Sequence, residues 1–469
     1  MVIKRWQRLW AGLWAAAIIA APAAAQNDAT TTETAKPDSK HILPPMVWGA
    51  NNEYRMQVGG DIRVRAEYRD NYDLDDSKDT DDRIGFVRTR VNMDLLVGDV
   101  MRAFVEVMDS REVDPRTDPS QESHVDLHQA YFDFFQPNKG PWTLRLGRQE
   151  LDLGRDRRLS EASGWNNLRR RFDGARAMYR TEKLDLDLFV LNPNYYERQR
   201  DGRTITDRGT RRDDEFFYGA YLTSRHRAPH TWEAYFLGLS DREKRRTFNP
   251  DRTGEDGTYG SSHRYTVGSV FYGPLHKNDR GELTYTAEGA WQFGRSATDQ
   301  IRAYMLRGDL TYEWNRQWKP TLGVVGTLAS GDRDPRDGVA GRFSPLFGSS
   351  HSPYGIMDFV RAQNLRELAV VGSIQPTEKL TIEAEAHTYW LDSKTDSFPN
   401  GPGRGSLRDR SGGSGREIGQ EISLTAEYKL NKRTTLEAGA AHLFPGTMPA
   451  AFSKNDGANL FYLQTRFEF

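Results

Sequence analysis

The final residues of the chain alternate strictly. Phe461, Leu463, Thr465, Phe467 and Phe469 fall on one parity, and Tyr462, Gln464, Arg466 and Glu468 on the other. A β-strand sends successive side chains to opposite faces, so this pattern predicts a ribbon with one apolar and one largely polar side. The same rhythm begins at Tyr54, where Met56, Val58, Ile62, Val64, Ala66 and Tyr68 alternate with Arg55, Gln57, Asp61, Arg63, Arg65 and Glu67. It returns in Val87, Thr89, Val91, Met93 and Leu95 against Arg88, Arg90, Asn92 and Asp94.

Continued to the end, the pattern predicts strands at 54–69, 83–97, 100–109, 122–135, 141–152, 169–180, 184–192, 213–225 and 230–240. It predicts further ones at 263–273, 281–293, 300–314, 317–330, 361–374, 379–391, 415–430, 433–443 and 457–469. These are about eighteen strands, each long enough to cross a bilayer at a tilt. Short connections such as Gly98-Asp99 and Asn431-Lys432 alternate with long ones such as 153–168, 331–360 and 392–414. A transmembrane antiparallel β-barrel with both termini in the periplasm requires that alternation, and a soluble sandwich does not. The fold class is therefore all-β, a single barrel over residues 51–469.

Two other segments precede it. Lys4, Arg5 and Arg8 lead into the apolar run Leu9 to Ala21, and Ala23-Ala24-Ala25 supplies small residues, so 1–25 reads as a signal peptide cut before Gln26. Residues 26–50 are largely polar and read as a flexible periplasmic leader. A mean hydropathy of −0.75 excludes a helical membrane protein but not a barrel, because half of each strand faces a polar lumen. The 11 tryptophans and 20 tyrosines suit the aromatic girdles of a barrel. With no cysteine, disulfide and thiolate chemistry are excluded, and a net charge of −1 argues against a nucleic-acid partner.

The string Leu144-Arg145-Leu146-Gly147-Arg148-Gln149-Glu150-Leu151, followed by Trp165-Asn166-Asn167 and Arg170-Arg171-Phe172-Asp173-Gly174-Ala175-Arg176, resembles the core motif of the alginate export family of outer-membrane barrels. Tyr354-Gly355-Ile356-Met357-Asp358, Ile418-Gly419-Gln420-Glu421-Ile422 and Ala441-His442-Leu443-Phe444-Pro445-Gly446 are similar to later family segments, in family order. The resemblance implies an eighteen-stranded barrel in the outer membrane of a Gram-negative bacterium, passing an anionic polysaccharide through an arginine-rich lumen.

A polyuronate carries a carboxylate on every sugar, and a planar, permanently charged guanidinium matches it better than an ammonium. Parity places Arg63, Arg65, Arg88 and Arg90 on the lumen face, and Arg170 and Arg176 on a shared face. Arg145 and Arg148 cannot both face inward without a bulge, for which Gly147 is the natural place. The family motif favours Arg148. Arg361 and Arg366 flank the fourteenth strand with opposite parity, which sets one of them at the rim. The bland alternative is that these arginines merely pair with lumen carboxylates such as Asp61, Glu67, Asp94, Glu106, Asp173, Glu367 and Glu421. Glu383 and Glu385, with Glu421, form a candidate acidic patch opposing them.

Gly331-Asp332-Arg333-Asp334-Pro335-Arg336-Asp337-Gly338 has the composition of a calcium loop, but its third Asp is displaced, Pro335 intervenes and Phe343 holds the terminal-ligand position. It reads as a solvated turn, and its long loop, 331–360, as a candidate gate. His128, His387 and His442 are far apart, so no metal, cofactor or catalytic set is expected, and no G-x-S-x-G occurs. The expected partners are outer-membrane lipid, an anionic glycan, the barrel-insertion machinery acting on the strand ending at Phe469, and periplasmic export proteins. A general or small-solute porin is the alternative, kept open by 65 Lys+Arg against 66 Asp+Glu. A barrel enzyme or a surface adhesin has less support.

Overall fold

The computed structural model describes residues 42–78, 80–114, 122–135, 140–155, 158–161, 164–194, 198–200, 203–205, 214–246, 259–334, 336–398 and 407–469. The expected signal peptide and the first part of the leader lie outside them. Eighteen long strands build the wall. They are β1 (Tyr54–Asp70), β2 (Asp82–Val97), β3 (Met101–Val113), β4 (Ser123–Phe135), β5 (Trp142–Gln149) and β6 (Arg171–Arg180). Next come β7 (Leu184–Asn194), β8 (Glu215–Arg227), β9 (His230–Arg246), β10 (Tyr259–Asn278), β11 (Gly281–Ser296) and β12 (Asp299–Trp314). The last are β13 (Thr321–Ala329), β14 (Leu365–Thr377), β15 (Leu380–Trp390), β16 (Glu417–Lys429), β17 (Thr434–Pro445) and β18 (Ala458–Glu468).

Each wall strand pairs antiparallel with its sequence neighbours, and β1 closes on β18 in a register that sets Ile62 against Phe467 and Tyr68 against Phe461. Phe469 extends the seam, exchanging backbone hydrogen bonds of 2.8 and 3.0 Å with Gly60. Closure leaves no unpaired edge in the wall. The first wall strand starts and the last one ends at the barrel end with short turns, here the turn end; the other is the loop end. One loop-end connection, the two residues between β11 and β12, is as tight as a turn, which the sequence pattern had not separated from its neighbours.

The apolar parity faces out. Val190 and Leu463 are 57% and 55% exposed, and Leu144, Leu146, Val324 and Leu368 join them in a belt that hydrocarbon, not water, must cover. The polar parity turns inward, yet the interior is not hollow along its full height. The connection 150–170 after β5 and the connection 330–364 after β13 fold into the barrel and bury Leu151, Leu153, Leu159, Phe343, Phe347, Tyr354 and Ile356. Phe347 sits 5.3 Å from the Phe172 ring and 5.0 Å from Phe217, both on the wall. The two loops also bond each other, Glu161 N to Phe347 O at 3.0 Å and Phe347 N to Leu159 O at 3.2 Å. Burying such aromatic and aliphatic side chains contributes about 1.5–3 kcal/mol apiece, so the loops are part of the folded core.

Candidate functional site

The turn-end half of the lumen, below the loops, carries arginines held in place by shared carboxylates. Asp133 accepts from Arg145 Nε and Nη2 at 2.7 and 2.9 Å and lies 3.7 Å from Arg102 Nη1. Arg102 forks onto Asp94 at 2.8 and 2.7 Å. The Arg145 guanidinium lies over the Tyr131 ring at 3.7 Å. Asp187 accepts from Arg176 Nε at 2.6 Å and from Arg180 Nη2 at 2.8 and 2.7 Å. Higher on the wall, Asp61 contacts both Arg88 and Arg90, and Arg90 also reaches Glu106 at 3.6 Å. Asp61, Asp133 and Asp187 are thus each divided between two guanidiniums. Nε and Nη1 of Arg88 are buried with no hydrogen-bond partner among the described residues.

Parity placed Arg63 and Arg65 correctly on the inner face, but the 150–170 loop occupies both. Arg63 Nη2 donates to Asn166 O at 3.0 Å and Asn167 Oδ1 at 3.2 Å. Arg65 donates to Trp165 O at 2.7 Å and stacks on the Trp165 ring at 3.5 Å. The far face of Trp165 stacks on His351 at 4.0 Å, joining the two loops. Arg170 precedes β6 and donates to the carbonyl of Phe347, so it too belongs to the loop packing. These contacts join residues about a hundred or more positions apart, which no local pattern reveals.

Three expected lumen residues, Arg148, Arg366 and the carboxylate Asp173 that lies in register with Arg148, face outward. Arg148 shares the parity of the exposed Leu144 and Leu146 and pairs with Asp173 across β6 at 2.8 Å. Gly147 makes no bulge: β5 keeps regular register with both neighbours, and a Cβ there would lie 2.3 Å from Ala130 O. Arg145 is therefore the inward residue of the pair. Arg366 shares the outward parity of Leu368 and Val370, is half exposed, and pairs with Asp392 at 2.9 Å. Both arginines lie at loop-end strand tips, where a polar side chain leaves the hydrocarbon and parity stops reporting on the lumen.

About half the circumference away from β3–β6 lies a wall of opposite sign. On β14–β17, Glu367, Glu383, Glu385, Glu421 and Glu437 share the inward parity. His387 bridges Glu367 and Glu385 at 2.9 and 3.1 Å, and Arg307 reaches Glu367 at 3.2 Å. Glu437 accepts from Tyr462 and Gln464 at 2.7 and 2.9 Å. Glu421 is an anchor for the 330–364 loop: it accepts from Ile356 N at 2.6 Å and Met357 N at 3.2 Å. Gly355 has φ +84°, and a Cβ on it would lie 2.5 Å from both Glu421 Oε1 and Tyr389 Oη. A second anchor is Arg158, which forks onto buried Glu288 at 2.9 and 2.6 Å.

Asp332 does not sit in a solvated turn. It is buried against the 391–416 connection, with its N–H on Asp396 Oδ2 at 2.8 Å. Burial, reinforced by the Asp396 charge, pushes its carboxyl up to about 6. Burial opposes ionisation of Asp358 as well, but His351 at 3.2 Å holds that carboxyl below its ordinary range. Glu106, His128 and Glu150 come together inside the wall, a grouping the sequence spacing hid. Arg90 at 3.6 Å from Glu106 and Arg169 at 2.6 Å from Glu150 already compensate the carboxylates, so the group reads as an ion network.

Comparison with known proteins adds independent findings. A family model described as alginate export matches residues 54–462. No curated protein matches the chain. Among solved structures the barrel is similar to OccK2 (OpdF) of Pseudomonas aeruginosa in complex with glucuronate, with TM-score 0.58 and 10% identity over 88% of this chain and 96% of that one. It is similar to the outer membrane protein OprD of Pseudomonas aeruginosa, with TM-score 0.56 and 12% identity over 88% of this chain and 93% of that one. At such identities the likeness concerns the fold.

Proposed function

The chain belongs to the alginate export family, and from that premise we propose that it conducts an anionic polysaccharide or oligosaccharide along the arginine-bearing arc of β1–β7. That it is a passive channel of the Gram-negative outer membrane follows from the family and the porin-like barrel. The substrate and its path are the proposal, and the observation that carries them is the sharing of Asp61, Asp133 and Asp187, each between two guanidiniums. Around Asp187 two guanidiniums, Arg176 and Arg180, meet one carboxylate, and there the wall presents fixed positive charge. The shared carboxylates orient Arg102, Arg145, Arg176 and Arg180 while weakening each as a binding site. A passing uronate carboxylate exchanges with the wall carboxylate for one fork of the guanidinium, then moves to the next. Several weak sites in series conduct, whereas one tight site would block.

The glutamates of β14–β17 support the same reading from the other side, since they repel a polyanion toward the arginines. No step makes or breaks a bond, and we assign no catalytic role to any residue. Phe469, paired with Gly60 at the seam, is the terminus we assign to recognition by the barrel-insertion machinery. A second reading, a channel for small carboxylate-bearing solutes, is favoured by the loops that fill the loop-end half of the barrel. Current block by oligouronates of increasing length separates the two. Block that strengthens with length through several sugars supports the polymer path; block already saturated by a single uronate supports the small-solute channel, and indifference to all lengths overturns both.

A further inference from the structure

We propose that the outer face of β10–β12 at the loop end binds a phosphate-bearing glycolipid of the outer leaflet. The site is a groove of about 600 Å³ lined by His263, Tyr265, Trp291, Phe293, Arg295 and Arg302. All six lie on the outward parity of their strands, with the exposed Val267, Phe271 and Leu306. Register sets His263 opposite Arg295 and Arg302 opposite Phe293, so two guanidiniums lie on a diagonal of adjacent strands with the His263 imidazole beside them. Diagonal guanidiniums on adjacent strands repel unless an anion lies between them.

Other outward arginines near this rim have that anion within the chain: Arg148 has Asp173 and Arg366 has Asp392. Arg295 is exposed, and no ion pair or hydrogen bond among the described residues engages its guanidinium. Arg302 donates only to the neutral Gln300, at 2.7 Å, among those residues. Two guanidinium forks without carboxylates suit a phosphate, which accepts from both at once.

The floor of the groove identifies the ligand as a lipid rather than a free anion. Tyr265 packs on Phe293 at 5.4 Å, and Trp291 stacks with Tyr304 at 6.3 Å while remaining 47% exposed. These rings sit at the aromatic girdle, where acyl chains meet headgroups. Arg295 is two residues above Phe293, about 7 Å along the strand, at the height of a phosphorylated sugar headgroup. The two-residue turn between β11 and β12 leaves that height open.

The test is native mass spectrometry of the full barrel in mild detergent, with diphosphorylated lipid A, dephosphorylated lipid A or inorganic phosphate added. Arg295→Ala/Arg302→Ala is compared with Arg366→Ala, and heat-modifiable gel migration verifies folding of each variant. The proposal expects lipid A adducts on native protein and Arg366→Ala, at least tenfold fewer on the double variant or with the dephosphorylated lipid, and none with phosphate alone. Equal occupancy in all variants, or with both lipids, overturns it in favour of a non-selective lipid shell. Retention of inorganic phosphate without lipid, or a dimer in place of lipid adducts, overturns it as well.

Discussion

The two sides of the lumen use charge in opposite ways. On β1–β7, carboxylates serve arginines: Asp133 and Asp187 each fix two guanidiniums that project into the passage. On β14–β17, glutamates bond mainly neutral or backbone groups, as Glu437 does with Tyr462 and Glu421 with the 330–364 loop. One arc carries guanidiniums locally in excess where Arg176 and Arg180 share Asp187, and the other carries an excess of glutamates. Overall neutrality, 65 against 66, therefore says nothing about the field across the pore. Composition averages over a ring that strand order has divided into halves.

Breaking the positive half has the largest expected effect. Arg102→Ala/Arg145→Ala/Arg176→Ala removes both guanidiniums that share Asp133 and one of the two that share Asp187, and each is worth about tenfold in polyuronate affinity as a charge-assisted contact. Titrated current block should weaken by about a hundredfold or more, while outward Arg148→Ala leaves it unchanged. Next comes the loop packing above both halves. Arg158→Ala leaves Glu288 buried and uncompensated, at a cost of about 3–5 kcal/mol. Hydrogen exchange in 150–161 and 343–357 should accelerate and single-channel conductance should rise; unchanged exchange would show that the ion pair does not hold the loops.

Removing charge from the negative half sharpens the contrast more gently. Glu383→Gln/Glu385→Gln should raise the anion-to-cation permeability ratio about twofold, read from reversal potentials, without changing loop exchange. The smallest effect is on pH. Asp332 has a carboxyl raised to about 6, so its contribution to docking 330–364 on 391–416 is complete below the ordinary range near 3.8 and is lost as pH rises through about 6. Amide exchange at Gly331 and Asp332 should be several-fold faster at pH 7 than at pH 5, after correction for intrinsic rates. Asp332→Asn should abolish that difference.

Most of the wall was legible in the sequence because a barrel writes its two faces as a period of two. The parity of Arg63, Arg65, Arg88 and Arg90 followed directly, and so did the closing strand at Phe469. Parity failed to carry function at Arg148 and Arg366, where strands emerge from hydrocarbon and an outward arginine meets an aspartate. It was also silent on Arg63, Arg65 and Arg170, whose partners are the backbone of inward-folded loops. Arg102, Arg145 and Arg180 differ in another way. Alternation gives the inward parity of Arg102 and Arg180, the family motif favoured Arg148 over Arg145, and the pairing of all three on Asp133 and Asp187 depends on cross-strand register, which short-range alternation leaves unspecified.

The most direct test of the arginine path is the reversal potential of single channels in planar bilayers under a salt gradient. It is measured for the native protein, for Arg102→Ala/Arg145→Ala/Arg176→Ala and for Glu383→Gln/Glu385→Gln, each with and without polyuronate oligomers. The account predicts a native potential favouring anions, a shift toward cations in the arginine variant with loss of polyuronate block, and an opposite shift in the glutamine variant. A weakly selective current, indifferent to polyuronate and equal in all three proteins, would contradict it.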